Sequence, residues 1–233
     1  MTKIIKNSDV DNLNRQAVGI IIQAVAEKLK QQGSVVLGIP GGRSVLGIFS
    51  ILAQTAELPW SKIQIFMVDD RLRPVTDPVS NFGQAKMAFI DSLVAQGRLP
   101  EANLHPFIFQ PDLADFGRSN YEAELKRYGG KYDIILLGVG EDGHTAALFP
   151  GHHSIQDGAE FYLTFNDSPK PPAGRLTASK KLLLRADYAV ALFLGESKKS
   201  AYVNFLNSDL SVSVCPVKLI NQIKNSYLLT NLN

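Results

Sequence analysis

Cysteine is almost missing from this chain of 233 residues: Cys215 stands alone. That excludes an internal disulfide framework and any thiolate cage for a metal, and it fits a reducing compartment. An excess of either charge is missing too. With 24 Lys+Arg against 22 Asp+Glu the net charge is +2, so no bulk field announces nucleic acid or a membrane surface as a partner. Positive charge for a ligand has to be supplied locally. The longest apolar stretch near the N-terminus, Ala17 to Ala26, is interrupted by Gly19 and Gln23 and is too short to cross a bilayer. Met1 to Asp11 has neither the basic flank nor the apolar centre of a secretory leader, so a cytoplasmic protein is expected. Internal repeats, low-complexity segments and linkers are lacking as well, and α/β folds run to about 250 residues as one unit. A single domain over residues 1–233 is the expectation.

What is present is globular: 45% of residues are hydrophobic and 20% charged. Val10, Leu13, Ala17, Val18, Ile21, Ala24, Val25 and Leu29 recur at helical spacing. Ser34–Ile39 then reads as an apolar strand, Pro40-Gly41-Gly42 as a tight turn, and Ser44–Ala56 as a helix. The same rhythm continues: strand Ile63–Val68, helix Asn81–Ala95, a short strand near Asn103–Phe109, helix Asp115–Tyr128, strand Tyr132–Gly138. After the proline-rich stretch around Ser168 to Pro172 come a helical turn near Ala178–Arg185, strand Tyr188–Leu194, helix Ser197–Leu206 and strand Ser226–Leu229. Strands apolar on both faces and alternating with helices predict a three-layer α/β sandwich with a mostly parallel, Rossmann-like sheet. Such sheets carry their chemistry beyond the carboxyl ends of the strands.

Three polar clusters follow directly on three of these strands: Gly41-Gly42-Arg43-Ser44, Asp69-Asp70-Arg71, and Gly138 to His144. A parallel sheet gathers all three at one edge. In the first, two glycines let the backbone approach a ligand, and the helix starting near Ser44 offers free N–H groups to an anion, with Arg43 and Ser44 as side-chain donors. A P-loop is excluded, because no Lys precedes Ser44 and the glycine spacing is short. Gly138, Gly140 and Gly143 fit the dinucleotide fingerprint literally, yet Pro150-Gly151 stops the following segment after about one turn, so no crossover helix and no dinucleotide cofactor follow.

His144, on a glycine loop at a strand end with acids beside it, is placed to act as a general base, with Asp142 or Asp70 to orient its ring. Joint metal binding by His144, His152 and His153 is disfavoured, since Pro150-Gly151 forbids a shared helical face and no carboxylate completes a familiar spacing. Ser168-Pro169-Lys170-Pro171-Pro172 is a stiff lead-in that holds Lys170 or Arg175 in place. Lys198 and Lys199 open a helix near the same sheet edge, where they oppose its dipole and await an anion. Cys215, followed by Pro216, reads as a packing residue.

Leu137 to Gly151 and Ser168-Pro-Lys-Pro-Pro-Ala-Gly-Arg175-Leu-Thr177 resemble the 6-phosphogluconolactonases, a branch of the glucosamine-6-phosphate isomerase/6-phosphogluconolactonase superfamily. The resemblance spans Gly38 to about Lys199. The proline segment and Leu148-Phe149-Pro150 separate it from the related deaminases, which lack the former and carry Asn-Glu-Pro in place of the latter. It implies a sugar-phosphate lactone substrate, no cofactor, a phosphate loop at Gly41-Gly42, a base at His144, and substrate-binding cations at Arg71, Arg175 and Lys198. Departures are Asp70 where the family has Glu, Ser44-Val45 for Thr-Pro, and Thr76-Asp77-Pro78 where a family histidine falls. The activity implied is hydrolysis of 6-phosphoglucono-δ-lactone to 6-phosphogluconate. Its competitors are an amino-sugar-phosphate isomerase or deaminase with Asp69 or Asp70 as base, and a sugar-phosphate sensor without chemistry.

Overall fold

The computed structural model describes residues 2–232. Strand β1 (Lys3–Lys6) precedes helix α1 (Val10–Leu29), whose N-terminus is capped by Asp9: its carboxylate accepts from Asp11 N at 2.9 Å and Asn12 N at 3.2 Å. Then follow β2 (Val35–Ile39), α2 (Leu46–Gln54), β3 (Ile63–Met67) and β4 (Asp69–Arg71). Helix α3 (Asn81–Ala85) runs through a π turn, Lys86–Ile90, into α4 (Asp91–Ala95). The rest of the chain is β5 (Leu104–His105), α5 (Arg118–Arg127), β6 (Ile134–Gly138), α6 (His153–Gln156), β7 (Tyr162–Phe165), β8 (Arg175–Ala178), α7 (Lys180–Leu184), β9 (Tyr188–Phe193), α8 (Lys199–Leu206) and β10 (Asn225–Thr230).

Seven strands form one sheet in the order β1-β10-β9-β6-β2-β3-β5, and every pairing in it is parallel. The mostly apolar strands of the sequence lie in its interior: β2, β3 and β9 are buried at every position. Alternate residues feed opposite cores, Val36 to one face and Val35, Leu37 and Ile39 to the other. Helices cover both faces, so the expected α/β sandwich is present.

Two features differ from the expectation. The N-terminal residues supply an edge strand, β1, paired with β10. More important for function, β4, β8 and β7 form a second, antiparallel sheet in the order β4-β8-β7. Its strands have three or four residues, too short for a periodic signal. The expected helical turn at Ala178–Arg185 is therefore β8 ending at Ala178, then α7 capped by Ser179 Oγ, which accepts from Leu182 N at 3.0 Å. A buried tyrosine pair joins the two sheets: Tyr132 and Tyr162 hydroxyls are 2.6 Å apart, and Tyr132 donates to Met67 O at 2.9 Å. No helix among the described residues is long and apolar enough to cross a membrane.

Candidate active site

The loops after β2, β3, β6 and β9 all end at one sheet edge, because all four strands point the same way. They enclose a cleft of about 410 Å³ whose lining includes Gly41, Gly42, Arg43, Ser44, Arg71, His144 and Lys198. The sequence had these residues scattered over more than 150 positions; parallel strand order is what collects them.

His144 is partly exposed to this cleft and Asp142 stands behind it, with Oδ1 2.5 Å from the ring Nδ1 and 3.2 Å from the His144 main-chain N. Between the two carboxylates considered for this role, the contact belongs to Asp142. Burial opposes ionisation of Asp142, but the hydrogen bonds and charge of His144, with Lys170 beyond, outweigh it and hold the carboxyl well below its usual range. Asp142 is thus an acceptor at neutral pH. Its partner nitrogen carries the proton, which leaves Nε2 as the basic nitrogen. The loop is pinned on several sides: Gly140 N donates to His144 O at 2.8 Å, Thr145 Oγ1 to Gly138 O at 3.0 Å, and Val217 N to Gly143 O at 3.1 Å. The Phe149 ring, 4.7 Å from the imidazole, closes its apolar side.

Asp69 and Asp70 point to opposite faces, as neighbours on a strand must. Asp69 lines the cleft; burial raises its pKa against the pull of Arg71, Arg175, His144 and Asn81. Asp70 does not line the cleft. Its oxygens accept from Asn81 N at 2.7 Å, Phe82 N at 3.1 Å, Ser80 Oγ at 3.3 Å and Arg71 N at 2.7 Å, so it caps α3 and anchors β4. The expectation of substrate contact at Asp70 is corrected accordingly: its lone pairs are already engaged with backbone donors. Burial lifts its pKa to about 6 despite these bonds.

Arg175 is likewise displaced from the expected position. It is 4% exposed and absent from the cleft wall, directly across the antiparallel pair from Arg71. Its Nη2 donates to Lys170 O and Pro171 O, both at 3.1 Å, so the proline segment is tied to β8 through this guanidinium. Burial and the neighbouring Arg71 lower its pKa to about 10. Lys170 Nζ in turn lies 3.6 Å from Asp142 Oδ2. Lys198 does line the cleft; burial lowers its pKa, with Glu141 opposing and Lys170 and Arg43 adding to the effect.

Asn81 is a site residue that the sequence pattern missed. Its amide nitrogen is committed to Asp69, at 2.9 Å from the carbonyl and 3.0 Å from Oδ2, which leaves Oδ1 buried without a partner. A Cβ on Gly41 would fall 2.0 Å from that oxygen, so glycine there is required by close approach. Arg71 Nε and Arg175 Nη1 are buried without partners too. An orphaned donor on Arg71 and an orphaned acceptor on Asn81, both residues of the cleft wall, are the mark of a polar ligand's place. His152 and His153 lie away from His144, beyond Phe149, and neither lines the cleft.

Comparison with known proteins follows the same lines. The profile described as glucosamine-6-phosphate isomerases/6-phosphogluconolactonase matches residues 8–229. A 6-phosphogluconolactonase of Borreliella burgdorferi is 31% identical, the match covering 84% of this chain and 83% of that protein. One from Synechocystis is 31% identical over 89% of this chain and 86% of its own length. Among solved structures, a 6-phosphogluconolactonase from Thermotoga maritima superposes with a TM-score of 0.81 at 22% identity, covering 99% of each chain. A monomeric glucosamine-6-phosphate deaminase does so with the same TM-score at 20% identity, over 98% of this chain and 97% of that one. The backbone alone does not separate the two chemistries.

Proposed function

The chain belongs to the glucosamine-6-phosphate isomerase/6-phosphogluconolactonase family, and from that premise we propose that it hydrolyses 6-phosphoglucono-1,5-lactone to 6-phosphogluconate with His144 as general base. The observation that carries the mechanism is the His144–Asp142 pair, with an ionised carboxylate on Nδ1 and a basic Nε2 at a cation-lined cleft.

Water attacks the lactone carbonyl as Nε2 takes its proton, which gives a tetrahedral oxyanion and an imidazolium paired with Asp142. Collapse of the oxyanion breaks the bond to the ring oxygen, which receives the proton from His144 and leaves as a hydroxyl. One histidine serves both steps and ends neutral. Developing charge on the carbonyl oxygen is met by preorganised donors, for which the glycine loop N–H groups and Arg71 are at hand. The phosphate dianion pairs with Arg43 and Lys198 and with the N–H groups at Gly41-Gly42, so that binding energy at the unreactive end positions the carbonyl. Arg175 acts behind Arg71, as a brace for the proline segment. This lactone opens unaided in water, so the roughly 10² to 10⁴-fold supplied by a positioned base is a sufficient contribution.

Asp69 favours a second reading. A buried cleft carboxylate with a raised pKa is what proton abstraction from an amino-sugar phosphate needs. The curated relatives at 31% identity carry the lactonase name, which ranks hydrolysis first. The test is a coupled assay on freshly generated lactone, measured against the enzyme-free rate, beside an ammonia-release assay on glucosamine 6-phosphate. Acceleration in the first alone supports hydrolysis; ammonia release alone overturns it.

A further inference from the structure

Gly143 is the single residue between Asp142 and His144, so any displacement of it is passed to both members of the pair. It lies in the left-handed region, at φ +83°, and so does Gly151, at φ +64°, at the far end of the same loop. Both glycines are hydrogen-bonded to one remote turn, residues 211–217. Val217 N donates to Gly143 O at 3.1 Å, and Gly151 N donates to Ser213 O at 2.9 Å. That turn closes on itself, since Val214 N and Cys215 N both donate to Ser211 O at 3.1 Å. The loop carrying His144 is thus gripped at its two ends by a piece of chain that comes after α8.

Cys215 fills the space inside the grip. Its side chain is completely buried, and a Cβ placed on Gly143 would lie 2.9 Å from its Sγ and 3.8 Å from its Cβ. On the other side Sγ faces Ala201 O at 3.9 Å, in the first turn of α8 and close in sequence to the cleft residue Lys198. Burial raises the thiol pKa to about 11, so the sulfur serves by its volume rather than by charge. Interiors are packed closely enough that neighbours feel a change of one methyl group. Between a helix and a turn held by isolated hydrogen bonds, the turn is the part that yields.

We propose that Cys215 is a positioning residue for the hydrolysis assigned to this cleft: its sulfur spaces the Asp142-Gly143-His144 turn from α8 and thereby holds the carboxylate against Nδ1. The inference rests on the proposed function, and it adds to it a residue that touches neither substrate nor base.

The experiment compares full-length Cys215→Val, Cys215→Ser, Gly143→Ala and Gly143→Ala/Cys215→Ala with the wild type. Each is read by kinetics on fresh lactone and by NMR of the downfield proton shared between His144 Nδ1 and Asp142. Cys215→Val is expected to lower kcat at least about tenfold, with KM changed little and the downfield proton shifted or lost. Cys215→Ser, of nearly the same size, is expected to keep both at wild-type values. Gly143→Ala is expected to lose as much as Cys215→Val, and the added Cys215→Ala to recover at least about threefold by removing the atom that the new Cβ meets. Wild-type kcat in Cys215→Val, or a Gly143→Ala deficit that the second substitution leaves in place, overturns the proposal; the Gly143 pair decides where Cys215→Val does not fold. A wild type without lactonase rate defeats the proposed function alone. The NMR readout needs no turnover, and a downfield proton unmoved in Cys215→Val and Gly143→Ala is what then overturns the positioning role.

Discussion

The His144 ring occupies the place a side chain at position 140 would take. A Cβ on Gly140 would lie 2.0 Å from His144 Nδ1 and 2.6 Å from Asp142 Oδ1. Gly140→Ala must therefore push the pair apart, and displacements of about 1 Å in a catalytic group cost up to roughly 10² in rate. Turnover is expected to fall at least about tenfold while phosphate binding, read by product inhibition, holds. An alanine variant with wild-type kcat would show that the pair has no part in the rate.

Removal of the base itself is more severe. His144→Ala is expected to lower kcat by about 10² to 10⁴-fold with little change in KM. Background-corrected turnover on fresh lactone is the measurement, and near-normal turnover sinks the base assignment.

Asp142→Asn keeps the size of the side chain and removes the charge that selects the Nδ1–H tautomer. A loss in kcat of at least about tenfold, with KM held, is expected. If KM rises and kcat does not change, Asp142 instead serves the substrate.

Lys198 and Arg175 separate binding from architecture. Lys198→Ala is expected to raise KM severalfold and leave Tm unchanged, because its head lines the cleft and makes no hydrogen bond to the described residues. Arg175→Ala strands the Lys170 and Pro171 carbonyls, so it is expected to cost about 2 kcal/mol of stability as well as raising KM. Denaturant titration beside steady-state kinetics distinguishes the two, and equal midpoints for both variants contradict the assignment.

Asp70 predicts a pH dependence of stability. Burial lifts its folded pKa from 3.8 to about 6, so between those values the native state holds more protons than the unfolded chain. Stability therefore falls as pH rises through this window and levels off above it, by roughly 3 kcal/mol from this group. Asp70→Asn is expected to flatten that portion of the curve, as read from unfolding at pH 4 and pH 7. The same slope in both proteins rules the group out.

Much of the scaffold was legible because its signals are local. Short, mostly apolar runs mark β2, β3 and β6, and helical spacing marks α1, since both are written within a few positions of the chain. The loop from Gly138 to His144 was legible for the same reason. Strands β4, β7 and β8 were not, because three or four residues carry no period and the sheet is completed by the pairing of β4 with β8 across about 100 positions of the chain.

The sequence by itself determined the parallel α/β framework, the glycine loops at its carboxyl edge, and the presence of a histidine beside an acid on one of them. Only the tertiary structure decided which acid serves it, that Asp69 faces the cleft while Asp70 caps a helix, and that Arg175 braces a strap. The reason is physical: turn chemistry and amphipathic period act along the chain, whereas the direction of a side chain depends on strand register, and a shift of one residue sends it to the other face.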